Sequence, residues 1–267
     1  MNTVIVDKPS EQISVIELHQ PDRLNPMNFE LVGDLYEAIE KVSADNETRV
    51  AILTGGGRGF CSGMDLDDAG MPPNIDGLPM SRIAIRAMEF MANLVPALRA
   101  MPQPVIAAVN GPAVGGGFCL AVGADIRLAG ESASFRGAGI INGLTGTELG
   151  ISYLLPRLIG ASRANEVLLT GRRVSAEEAE RIGLVSRIVA DDKLMETTLG
   201  LAEQMCELSA HGLSMTKRVL WANLEAGSLG AAIDLENRSQ LLVRMTTSNL
   251  DEFLAARREG RQPVYED

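Results

Sequence analysis

Three consecutive glycines, Gly115, Gly116 and Gly117, stand directly before an apolar run at residues 118–122. A glycine turn at the start of a helix exposes backbone N–H groups that have no intrahelical partner and lie at the positive end of the helix dipole. A ligand oxygen can approach such amides where a Cβ would block it. Close packing against a neighbouring element is the alternative interpretation, because tight turns also use glycine.

A second glycine-rich loop covers residues 55–66 and follows another apolar run, residues 50–54. Two amides aimed at one carbonyl oxygen form an oxyanion hole, which stabilises negative charge that develops on that oxygen. The sequence predicts such a pair at Met64 and Gly116, which are 52 residues apart. Residues 67–80 show no hydrophobic period, and we expect them to form a mobile flap.

The elements that must position these loops alternate along the chain. Short runs rich in β-branched residues predict strands, and apolar residues at helical spacing predict helices. Strands are predicted at residues 13–18, 50–54, 105–109, 126–128 and 133–135, and helices at 28–43, at 81–101 and from 118 onward. Residues 137–150 are predicted to be irregular and the chain after residue 161 mostly helical. We therefore predict one α/β core, residues 1–199, with a helical subdomain at residues 200–267.

Composition excludes several classes of partner. The 267 residues are 46% apolar, which allows an ample core, and 35 acidic against 24 basic residues give a net charge of −11. This charge repels nucleic acid and provides no attraction to an anionic membrane. The three cysteines lack metal-ligand spacing and favour a reducing compartment without disulfides. No export signal is recognisable, so we expect a cytoplasmic protein that binds neither nucleic acid nor membrane, nor a metal.

Four motifs follow one another in a characteristic order. They are Phe-Cys-Ser-Gly-Met-Asp-Leu at 60–66, Pro-Val-Ile-Ala-Ala-Val-Asn-Gly-Pro-Ala-Val-Gly-Gly-Gly at 104–117, Leu-Leu-Pro-Arg-Leu-Ile-Gly at 154–160 and Ala-Glu-Glu-Ala-Glu-Arg-Ile-Gly-Leu-Val at 176–185. The chain resembles the enoyl-CoA hydratase/isomerase family, also called crotonases, over almost its whole length. The resemblance implies a crotonase (ClpP-like) α/β spiral of strand–strand–helix units, with C-terminal helices that build a homotrimer or a dimer of trimers. It also implies an acyl-CoA thioester substrate and no separate cofactor.

The matching motifs carry site assignments from the family to this sequence. The amides of Met64 and Gly116 would hold the thioester oxygen. Arg23 and Asn25 match the segment that lines the CoA groove, where Arg23 would meet a CoA phosphate; a solvated surface arginine is the alternative.

The loop after the first motif adds three further expectations. Ser62, Asp65 and Leu66 are expected to bind substrate or to support the loop. Asp65 is expected to brace the loop through backbone hydrogen bonds rather than to react.

The family's hydratases place two glutamates around a water, and here those positions hold Cys119 and Gly139. Neither replaces a carboxylate, because glycine has no side chain and a thiol in an apolar pocket resists ionisation. Both positions are retained as substrate-binding positions. Glu148 occupies the turn where some isomerases of the family place their one acidic residue, and it is the preferred base. Complementing the dipole of a following helix is its alternative role.

Three hypotheses follow from these residues. The favoured one is a double-bond shift in an unsaturated acyl-CoA, since one carboxylate can take a proton from one carbon and return it to another. The second is hydration, with water activated by Glu148 or by an acid from residues 67–80. The third is an acyl-CoA-binding protein without catalytic activity.

Overall fold

The computed structural model describes residues 2–265. The strands of this part of the chain form two sheets. They are β1 (Val4–Ser10), β2 (Ile13–Leu18), β3 (Val50–Gly55), β4 (Val105–Val109), β5 (Pro112–Val114), β6 (Ile126–Gly130), β7 (Ser134–Arg136), β8 (Val174–Ser175) and β9 (Arg187–Val189). The larger sheet has the order β1-β2-β3-β4-β6-β9 and the smaller one β5-β7-β8. β1 pairs antiparallel to β2, and the other neighbours in the larger sheet are parallel.

Helices connect the strands and make up most of the chain after β7. They are α1 (Phe29–Ser43), α2 (Met80–Ala92), α3 (Leu94–Ala100), α4 (Gly116–Gly123), α5 (Ile151–Ile159), α6 (Ala161–Thr170), α7 (Ala176–Arg181), α8 (Leu194–Cys206), α9 (Ala210–Asn223), α10 (Leu229–Thr246) and α11 (Asn249–Glu259). Among the described residues, none of these helices combines the length and the apolar character that crossing a bilayer requires.

The larger sheet is buried on both faces. In β3, Ala51 and Leu53 belong to the main core with α1, α3 and α4, while Val50 and Ile52 pack with α8 on the opposite face. A parallel strand that is covered on both sides needs apolar residues at consecutive positions rather than at alternate ones. For this reason the central strands are recognisable in the sequence as continuous apolar runs.

The predicted helix over residues 81–101 is wrong as a single element. α2 ends at Ala92, and α3 begins after Asn93. Pro96 accounts for the break, because its ring clashes with the carbonyl group of residue 92 and it has no N–H to donate. The strands at 13–18 and 105–109 have the predicted bounds, whereas α4 begins at Gly116, two residues before its predicted start.

The predicted boundary between residues 199 and 200 falls inside α8. Leu194, Thr198 and Ala202 of this helix are buried, and α8 packs against the larger sheet. α10 differs, because none of its described residues is buried. The division into a core and a helical assembly subdomain stays a prediction.

α9 is tied to the core by a buried charged network. The Lys217 ammonium lies 3.0 Å from the Asp125 carboxylate, and Nε1 of Trp221 donates a hydrogen bond to the same carboxylate at 2.5 Å. The Val105 amide, at the start of β4, also donates to Asp125 at 2.7 Å. The network fixes the position of the Trp221 ring relative to the sheet.

Candidate active site

β5 leads into the glycine turn, where Gly115 has φ 53° and ψ −121°. Residues with a Cβ rarely adopt this conformation. A Cβ on Gly116 would lie 2.6 Å from Sδ of Met27, and one on Gly117 would lie 2.3 Å from the carbonyl oxygen of Cys61. The turn therefore uses its glycines for close packing, the alternative interpretation of the sequence. These contacts lie on the Cα side of each glycine and do not involve its backbone N–H group.

The second glycine-rich loop lies directly against this turn. The Val114 amide donates to the carbonyl oxygen of Cys61 at 2.9 Å. A Cβ on Gly63 would lie 2.7 Å from the carbonyl oxygen of Val114 and 3.4 Å from Cα of Gly115. Met64 follows Gly63, so the two predicted loops meet in the folded chain.

The amides of Met64 and Gly116 have no hydrogen-bond acceptor within residues 2–265. Gly116 is the first residue of α4, where an N–H group has no intrahelical partner. The neighbouring amides of Gly115 and Asp65 each donate to a backbone carbonyl at 2.9 Å. Each of these two amides thus keeps an unused donor, as an oxyanion hole requires.

Glu148 places its carboxylate beside the glycine turn. A Cβ on Gly115 would lie 3.3 Å from Oε1 of Glu148. The side chain is half-buried, and burial raises its pKa. None of the described residues forms an ion pair with it. α5 begins three residues later, at Ile151. The role of Glu148 as a base stays a prediction.

The backbone around Glu148 is unusual for a residue in a loop. Leu149 has φ 44° and Gly150 has φ 85°, so two left-handed residues follow Glu148. Strained backbone of this kind persists only where the surrounding structure holds it. The Glu148 carbonyl oxygen accepts a hydrogen bond from the Ile151 amide at 2.9 Å and lies 3.5 Å from the Cys119 thiol, which donates to it. These contacts fix the main chain that carries the carboxylate.

Neither of the two positions at which the resemblance implies hydratase glutamates carries a carboxylate. A Cβ on Gly139 would lie 2.0 Å from the carbonyl oxygen of Thr145. The space for a side chain at this position is therefore occupied by backbone. Cys119 is 1% exposed, and burial raises the pKa of its thiol well above the ordinary value. The second carboxylate is missing, and the fold leaves no room for one at residue 139.

Arg23 and Asp65 form an ion pair at the base of the second loop. Nη1 of Arg23 lies 2.8 Å from Oδ2 of Asp65, and Nη2 lies 2.9 Å from Oδ1. The amides of Asp67 and Asp68 also donate to this carboxylate, at 3.1 and 3.0 Å. Burial by itself would raise the pKa of Asp65, but these hydrogen bonds lower it. Asp65 therefore makes the bracing contacts that were expected of it, and Arg23 is paired rather than fully solvated.

Asn25 is fully buried and holds the glycine-rich loop from inside. Its side-chain amide lies 2.9 to 3.2 Å from the carbonyl oxygens of Gly56, Gly59 and Phe60. Its own oxygen accepts a hydrogen bond from the Gln20 amide at 2.7 Å. The Asn25 side chain is thus buried within the loop, and contact of its segment with CoA stays a prediction.

The remaining loop residues differ in exposure. Ser62 is half-buried, and its amide donates to the Leu24 carbonyl oxygen at 2.9 Å. The side chains of Met64 and Leu66 are exposed, Leu66 by 76%. These positions are compatible with contact to a substrate, and such contact stays a prediction.

Asn110, Thr145 and Leu149 also shape the site, and the sequence did not predict them. Asn110 donates to the carbonyl oxygens of Gly55 and Gly57 at 2.8 and 2.9 Å. An asparagine before a glycine at a strand end is a signal that could have identified it. Thr145 acts through its backbone oxygen, and a leucine with positive φ has no sequence signature.

The parallel sheet, the two glycine loops and the adjacent carboxylate define an α/β enzyme of the crotonase fold class. Residues 8–267 match the family model described as enoyl-CoA hydratase/isomerase, and the chain belongs to this family. The resemblance seen in the sequence motifs is confirmed.

Two curated relatives illustrate the range of this similarity. A Mycobacterium tuberculosis protein named "Probable enoyl-CoA hydratase EchA12" is 52% identical over 267 residues, which cover 100% of this chain and 94% of that protein. The 1,2-epoxyphenylacetyl-CoA isomerase of Escherichia coli is 35% identical over 260 residues, which cover 96% of this chain and 97% of that protein.

Solved structures show the same fold. A crystal structure of a probable enoyl-CoA hydratase/isomerase from Mycobacterium abscessus has a TM-score of 0.94 and 46% identity, and the match covers 99% of this chain and 98% of that one. A structure of a monofunctional enoyl CoA isomerase from M. smegmatis has a TM-score of 0.74 and 46% identity, and covers 87% of this chain and 99% of that one.

Proposed function

We propose that this enzyme shifts the double bond of an unsaturated acyl-CoA thioester through an enolate. One observation carries the proposal: the Glu148 carboxylate lies beside Gly115, next to the free amide of Gly116, while Gly139 and Cys119 supply no second carboxylate. A single carboxylate suffices to move a proton between two carbons of one substrate.

The steps use the groups that the loops bring together. With a 3-enoyl-CoA, Glu148 removes a proton from the α-carbon, and the electron pair spreads over the thioester oxygen and the γ-carbon. The amides of Met64 and Gly116 donate hydrogen bonds to the negatively charged oxygen. The protonated Glu148 then returns the proton to the γ-carbon, which yields the conjugated 2-enoyl-CoA. CoA is part of the substrate, and the step needs no further cofactor.

The half-buried position of Glu148 suits this task. Because burial raises the pKa of its carboxyl group, the carboxylate is a stronger proton acceptor than an exposed glutamate. A general base works best when its pKa is near the working pH. The free amides of Met64 and Gly116 offset part of the cost of forming negative charge on the thioester oxygen near this carboxylate.

Hydration is the second candidate, and the name of the M. tuberculosis relative favours it. In that reaction Glu148 alone would activate a water for attack on the β-carbon and then protonate the α-carbon. Ordinary two-glutamate hydration conflicts with the Thr145 oxygen that occupies the side-chain space at Gly139.

The experiment compares trans-3-enoyl-CoA and trans-2-enoyl-CoA of equal chain length with the purified enzyme. We expect formation of the conjugated thioester from the first, no 3-hydroxyacyl-CoA from the second, and loss of the first reaction in Glu148→Gln. Glu131→Gln, which changes an exposed glutamate in a surface turn, is the matched control. Hydration that depends on Glu148 would establish the second candidate, and acyl-CoA binding without turnover would establish a binding protein.

We also infer that the C-terminal helices mediate assembly into a homotrimer or a dimer of trimers. Leu229 and Met245 of α10 are 77% and 82% exposed, and none of its described residues is buried. Exposed apolar surface of this kind marks contact with another chain. Sedimentation velocity at micromolar concentration tests the inference, and a stable monomer would contradict it.

A further inference from the structure

A cavity of about 260 Å³ lies between α3, α5 and the residues that follow α9. Val95, Pro96 and Leu154 contribute apolar walls, and Arg99, Tyr153 and Glu225 contribute polar groups. The volume is large enough for several methylene groups and is much larger than a single water needs. The cavity therefore has the mixed lining of a small-molecule site, with few polar groups in an apolar surface.

The cavity begins beside the proposed base. Leu149 and Gly150, the left-handed residues that follow Glu148, form part of its wall. Val95, on another wall, packs at the far end of α4, where a Cβ on Gly123 would lie 3.0 Å from it. α4 runs from Gly116 to Gly123, a rise of about 10 Å. The walls of the cavity thus include residues that follow Glu148 directly and a residue that packs against the far end of α4.

Arg99 is held in a fixed position in this cavity. Its guanidinium carbon lies 3.5 Å from the centroid of the Trp221 ring. That ring is in turn fixed by its 2.5 Å hydrogen bond to Asp125. Arg99 is half-buried, and burial lowers its pKa. Stacking on an indole orders a guanidinium while leaving its N–H groups at the edge free to donate.

Arg99 has no carboxylate within ion-pair distance among residues 2–265. Glu225, which also lines the cavity, is exposed and forms no ion pair with it. A guanidinium has five N–H donors and no acceptor, and Arg99 contributes part of it to the cavity wall. The geometry is that of a donor group positioned for an acceptor that the chain itself does not supply.

Resting on the proposed function, we propose that this cavity takes the distal end of the acyl chain and that Arg99 donates hydrogen bonds to a carbonyl or carboxylate oxygen there. The apolar walls would accommodate the methylene groups between the thioester and that oxygen. A purely hydrocarbon chain would bury Arg99 without a partner, which weakens binding. The favoured substrates are therefore acyl-CoA thioesters that are oxygenated at the end remote from CoA.

The test uses three trans-3-enoyl-CoA substrates of equal length that end in a methyl, a keto or a carboxyl group. We expect kcat/KM for an oxygenated substrate to exceed that for the hydrocarbon by about tenfold or more, the range for a hydrogen bond to a charged group. In Arg99→Met the ratio falls toward one. A preference for the keto over the carboxyl substrate would show that Glu225 repels the anion. The reverse order would show that the positive charge of the guanidinium dominates. Either order supports the site.

Arg163→Met is the matched control. Arg163 of α6 is exposed and does not line the cavity, so the ratio should be unchanged. A wild-type preference for the hydrocarbon, or a ratio that survives Arg99→Met, would overturn the inference. Equilibrium binding of the matching saturated thioesters separates this result from the chemistry: failure of the isomerase reaction leaves an Arg99-dependent binding preference measurable.

Discussion

The carboxylate of Glu148 and the Cα of Gly115 are neighbours: a methyl group on Gly115 would lie 3.3 Å from Oε1 of Glu148. Gly115 is the last residue before α4, whose first amide is free, so this contact places a proton acceptor next to a hydrogen-bond donor for an oxygen. Forming an enolate needs a base at the α-carbon and a hydrogen-bond donor at the carbonyl oxygen, two atoms that are joined through the carbonyl carbon.

The rate of the proposed isomerisation should depend on pH through Glu148. The pKa of this carboxyl is raised by burial, and only the carboxylate accepts a proton. We therefore expect kcat/KM to fall on the acid side with a midpoint above the usual range for a glutamate. Glu148→Gln should lose roughly 100- to 10,000-fold in kcat, the usual contribution of a general base. A profile without an acid limb in the wild type would exclude Glu148 as the base.

Gly115→Ala should lower activity more than stability. The new methyl group would press on Glu148, and φ 53° with ψ −121° is unfavourable for alanine. We expect at least a tenfold loss of kcat, with a loss of about 1–3 kcal/mol in the free energy of unfolding. Urea denaturation and initial rates measure the two effects.

Gly260→Ala is the control for this change. Gly260 has φ 69° at the end of α11 and open space around it, so alanine there adds backbone strain without touching the site. Its activity should be that of the wild type. An equal loss of activity in both variants would mean that the Gly115 contact has no special role.

Gly139→Ala should disturb the loop that carries Glu148. Its methyl group would lie 2.0 Å from the Thr145 carbonyl oxygen, so the loop backbone must move. We expect a loss of about 1–3 kcal/mol in stability, typical of overpacking, together with reduced kcat. Gly143→Ala, in the same loop but with open space, should retain activity despite its φ of 79°. Full activity in Gly139→Ala would show that the loop is not held as described.

Asp65→Asn should destabilise the protein in a pH-dependent way. The folded pKa of Asp65 is lowered, so its carboxylate stabilises the fold fully above its unfolded pKa of about 3.9. This stabilisation is lost as pH falls through the lower folded pKa. The difference in unfolding free energy between wild type and variant should therefore be largest at neutral pH and shrink in acid. Asp67→Asn, whose side chain is 95% exposed, should show little difference at any pH.

Several parts of the fold could be predicted because local sequence decides them. β2 and β4 have the bounds expected from their apolar runs, since parallel strands buried on both faces require consecutive apolar residues. The glycine turn and the second loop were recognisable for a similar reason, because only glycine permits their close approach. β8, at two residues, is too short to produce a pattern.

The candidate site could be predicted only in part. Motif order located Met64, Gly116 and Glu148, and the structure places Gly116 in the glycine turn and the other two on segments that adjoin it. The direction of the Asn25 side chain did not follow from its motif, because a buried amide is drawn toward unpaired carbonyl groups that belong to a loop more than thirty residues away. The pairing of Arg23 with Asp65 has the same origin.

By itself the sequence determined the family, the central strands and the presence of one candidate carboxylate, since each of these depends on residue type and local order. Only the tertiary structure decided that the Thr145 oxygen fills the place of a second glutamate at Gly139, and that Arg99 stacks on Trp221 beside a cavity. These features arise where segments distant in the chain come within a few ångströms of one another, and side-chain packing at that range is not encoded in any local pattern.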